Sequence, residues 1–92
     1  MSDANLNTYL RPELARFARL MEDKLRENDH KPGWKDDSPD ALFARLLQEA
    51  GELSRVILSH AFDSGPAEAH ILTREAADVA NFAMMIADVV QQ

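Results

Sequence analysis

Apolar residues recur along this chain with a helical period in three stretches, each bounded by turn-forming residues. In the first, Leu10, Leu14, Phe17, Met21 and Leu25 fall three or four apart, with Arg16, Arg19, Glu22 and Arg26 elsewhere. Residues at that spacing share one side of an α-helix. The pattern predicts a helix from Leu10 or Pro12 to about Glu27, with Pro12 suited to the first turn and an earlier start near Leu6 left open. The second stretch, Leu42, Phe43, Leu46, Ala50, Leu53, Ile57 and Ala61, predicts a helix from about Pro39 to Ala61. Ser38 reads as its N-cap, Pro39 as its first residue and Asp40 as a first-turn acid. The third, Ile71, Leu72, Val79, Phe82, Ala83, Ile86 and Val90, predicts a helix to about Val89. Asp63 or Ser64 can cap it, with Pro66 in its first turn, and Met84 and Met85 lie off the centre of its stripe. Pro32-Gly33 breaks the chain between the first two helices, and the segment 62–66 breaks it between the last two.

Three helices and no alternating strand pattern predict an all-α fold, with residues 1–92 forming a single domain. So short a chain buries a thin core, and small helical chains often gain stability by association. The wide apolar girth suggests a second buried face and hence a partner subunit. The net charge of −6 argues against duplex nucleic acid and anionic membranes as partners. It leaves room for a phosphate-bearing small molecule, because a bound cation reverses the local sign. There is no cysteine, which removes thiol chemistry and suits a reducing compartment. The first residues lack the basic and apolar regions of a secretory signal, and no apolar run approaches the ~20 residues of a membrane span. The expectation is a cytoplasmic protein.

Four acids carry the chemistry. Glu49 and Glu52 are three apart, and Glu75 and Asp78 repeat that spacing in the third helix. At ~100° per residue, Glu49, Glu75 and Asp78 fall within the apolar stripes and Glu52 at the edge, beside Arg45. Each pair can therefore present two carboxylates to one point between the helices. Two carboxylates ~4 Å apart repel by about 4 kcal/mol at an effective dielectric of 20, large against a total stability of ~5–15 kcal/mol. Protonation or paired arginines can relieve this. Of Arg45, Arg55 and Arg74, the last two point away from the stripe. A hard divalent cation is the other solution, and all-oxygen ligands suit Mg²⁺, with Mn²⁺ or Ca²⁺ able to substitute. A lone Glu-x-x-Glu is more often a solvated helix face; two pairs rotated into apolar stripes are much rarer.

At these residues the chain resembles the MazG-like all-α nucleoside triphosphate pyrophosphatases, relatives of the dimeric dUTPases, the dCTP pyrophosphatases and phosphoribosyl-ATP pyrophosphatase. The likeness lies in Gln48-Glu49-Ala50-Gly51-Glu52, in Glu75-Ala76-Ala77-Asp78 and the block running on to Ile86, and in His30-Lys31-Pro32-Gly33-Trp34. It covers about residues 10–90 and is nearest to short members, many of phage or prophage origin. The resemblance implies an antiparallel helical bundle completed by homo-oligomerisation, as a dimer or a tetramer. It implies Mg²⁺ held by Glu49, Glu52, Glu75 and Asp78, with cleavage of an (d)NTP to the monophosphate and pyrophosphate. Gln48 departs from the pattern, since many members place a glutamate there. Glutamine orients water but does not take its proton, so the base role passes to Glu49 or Glu52. A non-catalytic helical dimer binding a nucleotide or a protein is the alternative.

Within the loop, Lys31 and Lys35 are candidates to meet phosphates and Trp34 to stack on a base. The competing reading is that Trp34 anchors the loop and the lysines are solvated. Asn81, one turn beyond Asp78, can contact phosphate or ribose or satisfy a polar edge. Arg45 and Arg74 are candidates for phosphate or for surface ion pairs. His30, His60 and His70 have no metal-like spacing. Phe17, Phe43, Phe82, Met84 and Met85 read as core, interface or the lining of a base pocket. No Gly-rich phosphate loop is present, so phosphate binding falls to metal and lysines.

Overall fold

The computed structural model describes residues 9–59 and 66–91. Among the described residues the helices are α1 (Pro12–Glu27), α2 (Pro39–Ser59) and α3 (Pro66–Val90). Pro12, Pro39 and Pro66 each open a helix, where the missing N–H is no loss and the fixed φ already suits the turn. The suggested start near Leu6 and the positions of His60, Ala61, Asp63 and Ser64 lie outside the described residues.

Local chemistry accounts for the ends of the helices. Asn28, just past α1, donates from Nδ2 to the free carbonyl of Lys24 at 3.2 Å. Lys24 and Arg26 occupy the last turn of α1, and Glu13 the first, the placement that the helix dipole favours. Ser38 caps α2: its Oγ accepts the Ala41 N–H at 3.1 Å and its carbonyl takes the Leu42 N–H at 3.1 Å. A side-chain cap of this kind contributes about 0.5–1 kcal/mol. Ser38→Ala is accordingly expected to lower the unfolding free energy by about that amount in urea titration, and an unchanged midpoint would show the cap to be dispensable.

The long α3 packs against both α1 and α2, and α1 and α2 do not pack directly on each other. Helices meet most closely where side chains are small, and that governs which positions close off. Ala77 is fully buried, Ala15 nearly so, and among the described residues Leu42 is the one large side chain under 2 % exposed. The apolar stripes predict the helices but not their inner lines. Leu14, Phe43, Ile57, Ile71 and Val90, all in the expected stripes, are 38–62 % exposed. The innermost line of α3 instead runs through Ala77 and Asn81, because that helix must face two neighbours at once. Asn81 is 4 % exposed and ties the bundle together by donating from Nδ2 to the Met21 carbonyl at 3.0 Å. Among the described residues, no helix is long and apolar enough to cross a membrane.

Candidate functional site

Helix periodicity carries Glu49 and Glu52 to one side of α2 and Glu75 to the facing side of α3. Oxygens from these three carboxylates lie within 4.8 Å of one another. Glu49 Oε2 and Glu75 Oε2 are shut off from solvent with no hydrogen-bond partner. A buried oxygen left without a donor costs about 1–3 kcal/mol, and here two occur side by side. Burial raises the Glu49 carboxyl first, and a hydrogen bond with Glu52 and the charges of Glu52, Asp78 and Glu75 add to it, bringing it to about 7. Burial and the neighbouring acids thus favour the protonated form of Glu49.

Asp78 stands apart. Its carboxylate is outside the three-residue cluster and pairs with Lys24 Nζ at 3.5 Å. Lys24 also reaches Glu27 at 3.6 Å. Arg74 pairs with Glu27 on α1, with the Asp78 charge also acting on it. It grips both oxygens of Glu27 at 2.8 and 3.0 Å. That bond, ahead of any other influence, holds the Glu27 carboxyl below its usual range.

Beside the cluster lies a cleft of about 440 Å³. Glu49 belongs to both; Glu52 and Glu75 do not line the cleft. Asp78 and Asn81 contribute from α3, and Lys31 and Trp34 from the loop between α1 and α2. Asn81 Oδ1 is buried with no hydrogen-bond partner. Its orientation follows from the bond to Met21, since an amide turned the other way would set oxygen against oxygen.

Lys35 does not line the cleft. Its ammonium bonds Asp88 Oδ2 at 2.7 Å and stands 5.3 Å from the Trp34 ring centre. Gln48 is exposed and belongs neither to the cluster nor to the cleft. Two cations line the cleft alongside Lys31: Arg45, whose guanidinium sits 4.9 Å from the Phe82 ring centre, and Lys24. Lys24 is absent from the sequence reading because its role depends on α1 meeting α3, which no local spacing reveals.

No protein-family model, curated protein or solved structure matches the chain.

The donor set suits a hard cation. It consists entirely of carboxylate oxygen, from two helices, with two oxygens that no protein donor satisfies. An oxygen closed to a water molecule still admits a bare ion, for which ligand distances are about 2.0–2.1 Å for Mg²⁺ and 2.3–2.6 Å for Ca²⁺. Lys24, Lys31 and Arg45 together with Trp34 and Phe82 give the cleft both basic and aromatic lining, which suits an anionic ligand bearing a ring.

Proposed function

We propose that the protein is a Mg²⁺-dependent nucleoside triphosphate pyrophosphohydrolase, converting an (d)NTP to the monophosphate and pyrophosphate. The observation that carries this reading is the meeting of Glu49, Glu52 and Glu75 within 4.8 Å, beside a cleft lined by Lys24, Lys31 and Arg45. When bound, Mg²⁺ supplies neutralisation of the polyphosphate and activation of an attacking water; Mn²⁺ is expected to substitute. Glu49, Glu52 and Glu75 would hold the ion, with Asp78, which pairs with Lys24, as the further carboxylate of the set. Lys24 lines the cleft and would offer its ammonium to a phosphate oxygen. Lys31 faces the same anionic ligand, and Trp34 offers a face for the base. Asn81, held by its bond to Met21, forms part of the cleft wall beside the phosphate or ribose. Glu49 or Glu52 would take the water's proton.

The test is pyrophosphate release from a panel of ordinary and modified dNTPs in the presence of Mg²⁺. If the folded protein turns over none of them, the enzyme reading is lost. The exposed Gln48 favours a second reading, a helical dimer that binds a nucleotide or a protein partner without hydrolysis. Binding without pyrophosphate release would support it, and activity gained by Gln48→Glu would count against it.

In the proposed reading the chain works as a homodimer or homotetramer. The outer side of α2 supports this, since Phe43, Leu47 and Leu58 are 53, 55 and 82 % exposed. Leu47→Glu is then expected to shift sedimentation from the oligomer to the monomer, whereas a wild-type protein that already sediments as a monomer would remove the oligomer from the proposal.

A further inference from the structure

The loop between α1 and α2 builds one wall of the cleft, through Asn28, Lys31, Gly33, Trp34 and Asp37 among others. Among the described residues, its backbone-to-backbone hydrogen bonds are local. Asn28 N–H reaches the Leu25 carbonyl, Asp29 that of Arg26, Lys31 that of Asn28 and Asp37 that of Trp34. Each shapes the loop or continues the end of α1, and none crosses to α3.

The crossing is made by side chains that converge on a single atom. Trp34 Nε1 donates to Asp88 Oδ2 at 2.9 Å, and Lys35 Nζ donates to the same oxygen at 2.7 Å. These partners are 54 and 53 residues apart in sequence. Asp88 lies in the last turn of α3, where the helix dipole disfavours an acid, and no basic residue occupies that turn. Two donors arriving from the loop offset this unfavourable placement. Bonds to an ionised acceptor are roughly twice as strong as neutral ones, so one carboxylate can hold the loop in place.

We propose that Asp88 is a positioning residue that latches this loop to α3 and fixes the Trp34 indole as a wall of the cleft. The ligand it serves is one with a planar heteroaromatic ring, and Asp88 acts through Trp34 without touching that ligand. This inference rests on the nucleotide reading for its ligand, but the latch itself is measured without any turnover.

Trp34 is the only tryptophan in the chain, so its fluorescence reports on the latch alone. Trypsin gives a second readout, because it cuts after Lys35, whereas Pro32 protects the bond after Lys31. In Asp88→Ala, Trp34 emission is expected to shift to the red, acrylamide quenching to increase, and cleavage after Lys35 to speed up by about tenfold, the factor for loss of about 1.4 kcal/mol. Far-UV helix content should be unchanged. Asp88→Asn keeps an oxygen for the indole N–H and should restore most of the protection from acrylamide. With a nucleotide that the wild type hydrolyses, Asp88→Ala should raise KM by about tenfold while kcat changes little, the pattern of lost binding shared by ground and transition states. Should Asp88→Ala fail to fold, Trp34→Phe and Lys35→Gln each remove one arm of the latch from an exposed or half-exposed position. Trp34→Phe is read by cleavage after Lys35, and Lys35→Gln by Trp34 quenching. Unchanged quenching and unchanged cleavage across these variants would overturn the latch. Absence of hydrolysis with both readouts moving would leave the latch standing and remove only the enzyme reading.

Discussion

Replacing Glu49 and Glu75 together by glutamine is expected to abolish pyrophosphate release and, in metal-free buffer at about pH 8, to raise the melting temperature. The two effects have one origin. Glu49 and Glu75 each hold a buried oxygen with no hydrogen-bond partner, and both belong to the cluster whose oxygens lie within 4.8 Å of one another. Glutamine keeps the volume, removes two negative charges and adds N–H donors that the neighbouring carboxylates can accept. Without a cation this relieves repulsion between half-buried acids, for which about 1–3 kcal/mol is reasonable once solvent screening is allowed for. In a domain of this size that is roughly 5–15 °C. With Mg²⁺ the same change removes two of the hard anionic ligands, and turnover should fall by at least about 10³-fold, the scale on which losing transition-state charge stabilisation is felt. Calorimetry in a chelator and a pyrophosphate assay read the two arms. A lower melting temperature would mean that the acids are held by stabilising partners and that the cluster is structural. A raised melting temperature with no loss of turnover would place any chemistry elsewhere.

The spacing of the acids is a local property, and it was legible. Rotation about one helix suffices to show that Glu49 and Glu75 turn inward, and the structure brings them together with Glu52. Pro12, Pro39 and Pro66 announce helix starts for a purely local reason as well, the fixed φ of proline. Features that depend on how helices meet were less accessible. Asp78 satisfies the same periodicity as Glu75, yet its carboxylate is drawn to Lys24, a residue of a different helix. Lys35, expected at the cleft, is drawn instead to Asp88.

The same distinction governs the core. Stripes of large apolar residues identify helices, but they do not say where two helices come closest. That line is marked by Ala15, Ala77 and Asn81, small or polar residues that a search for hydrophobic periodicity passes over. Leu42 closes off almost completely while its neighbour Phe43 stays half exposed, although both belong to the expected stripe. Trp34 is found as the anchor of its loop, through its bond to Asp88, and at the wall of the cleft.

Mg²⁺ should stabilise the protein strongly at about pH 8 and weakly at about pH 5.5, because metal and proton compete for the same oxygens. The Glu49 carboxyl is raised from 4.5 to about 7 in the folded protein. Between those values the folded state keeps a proton that the unfolded state has released. Stability therefore falls with rising pH across that window, since the unfolded state binds fewer protons. The contribution is fully present below about 4.5 and is lost as pH passes through about 7. Because Glu49 is only partly buried, about 1–2 kcal/mol is a fair discounted size, or roughly 5–10 °C. The groups that set this response are Glu52 on the same helix and Glu75 and Asp78 on α3; Lys24 on α1 bears on it through its ion pair with Asp78. A cation bound at a hundred times its dissociation constant adds about 2.7 kcal/mol, enough to reverse the loss at about pH 8 and raise the melting temperature there by roughly 10–20 °C. Thermal melts with chelator and with Mg²⁺ at both pH values give the answer directly. A metal-free protein equally stable at the two pH values, with the same small Mg²⁺ shift at each, would show that Glu49 is ionised and already compensated by protein groups. The case for a cation between these helices would then be gone.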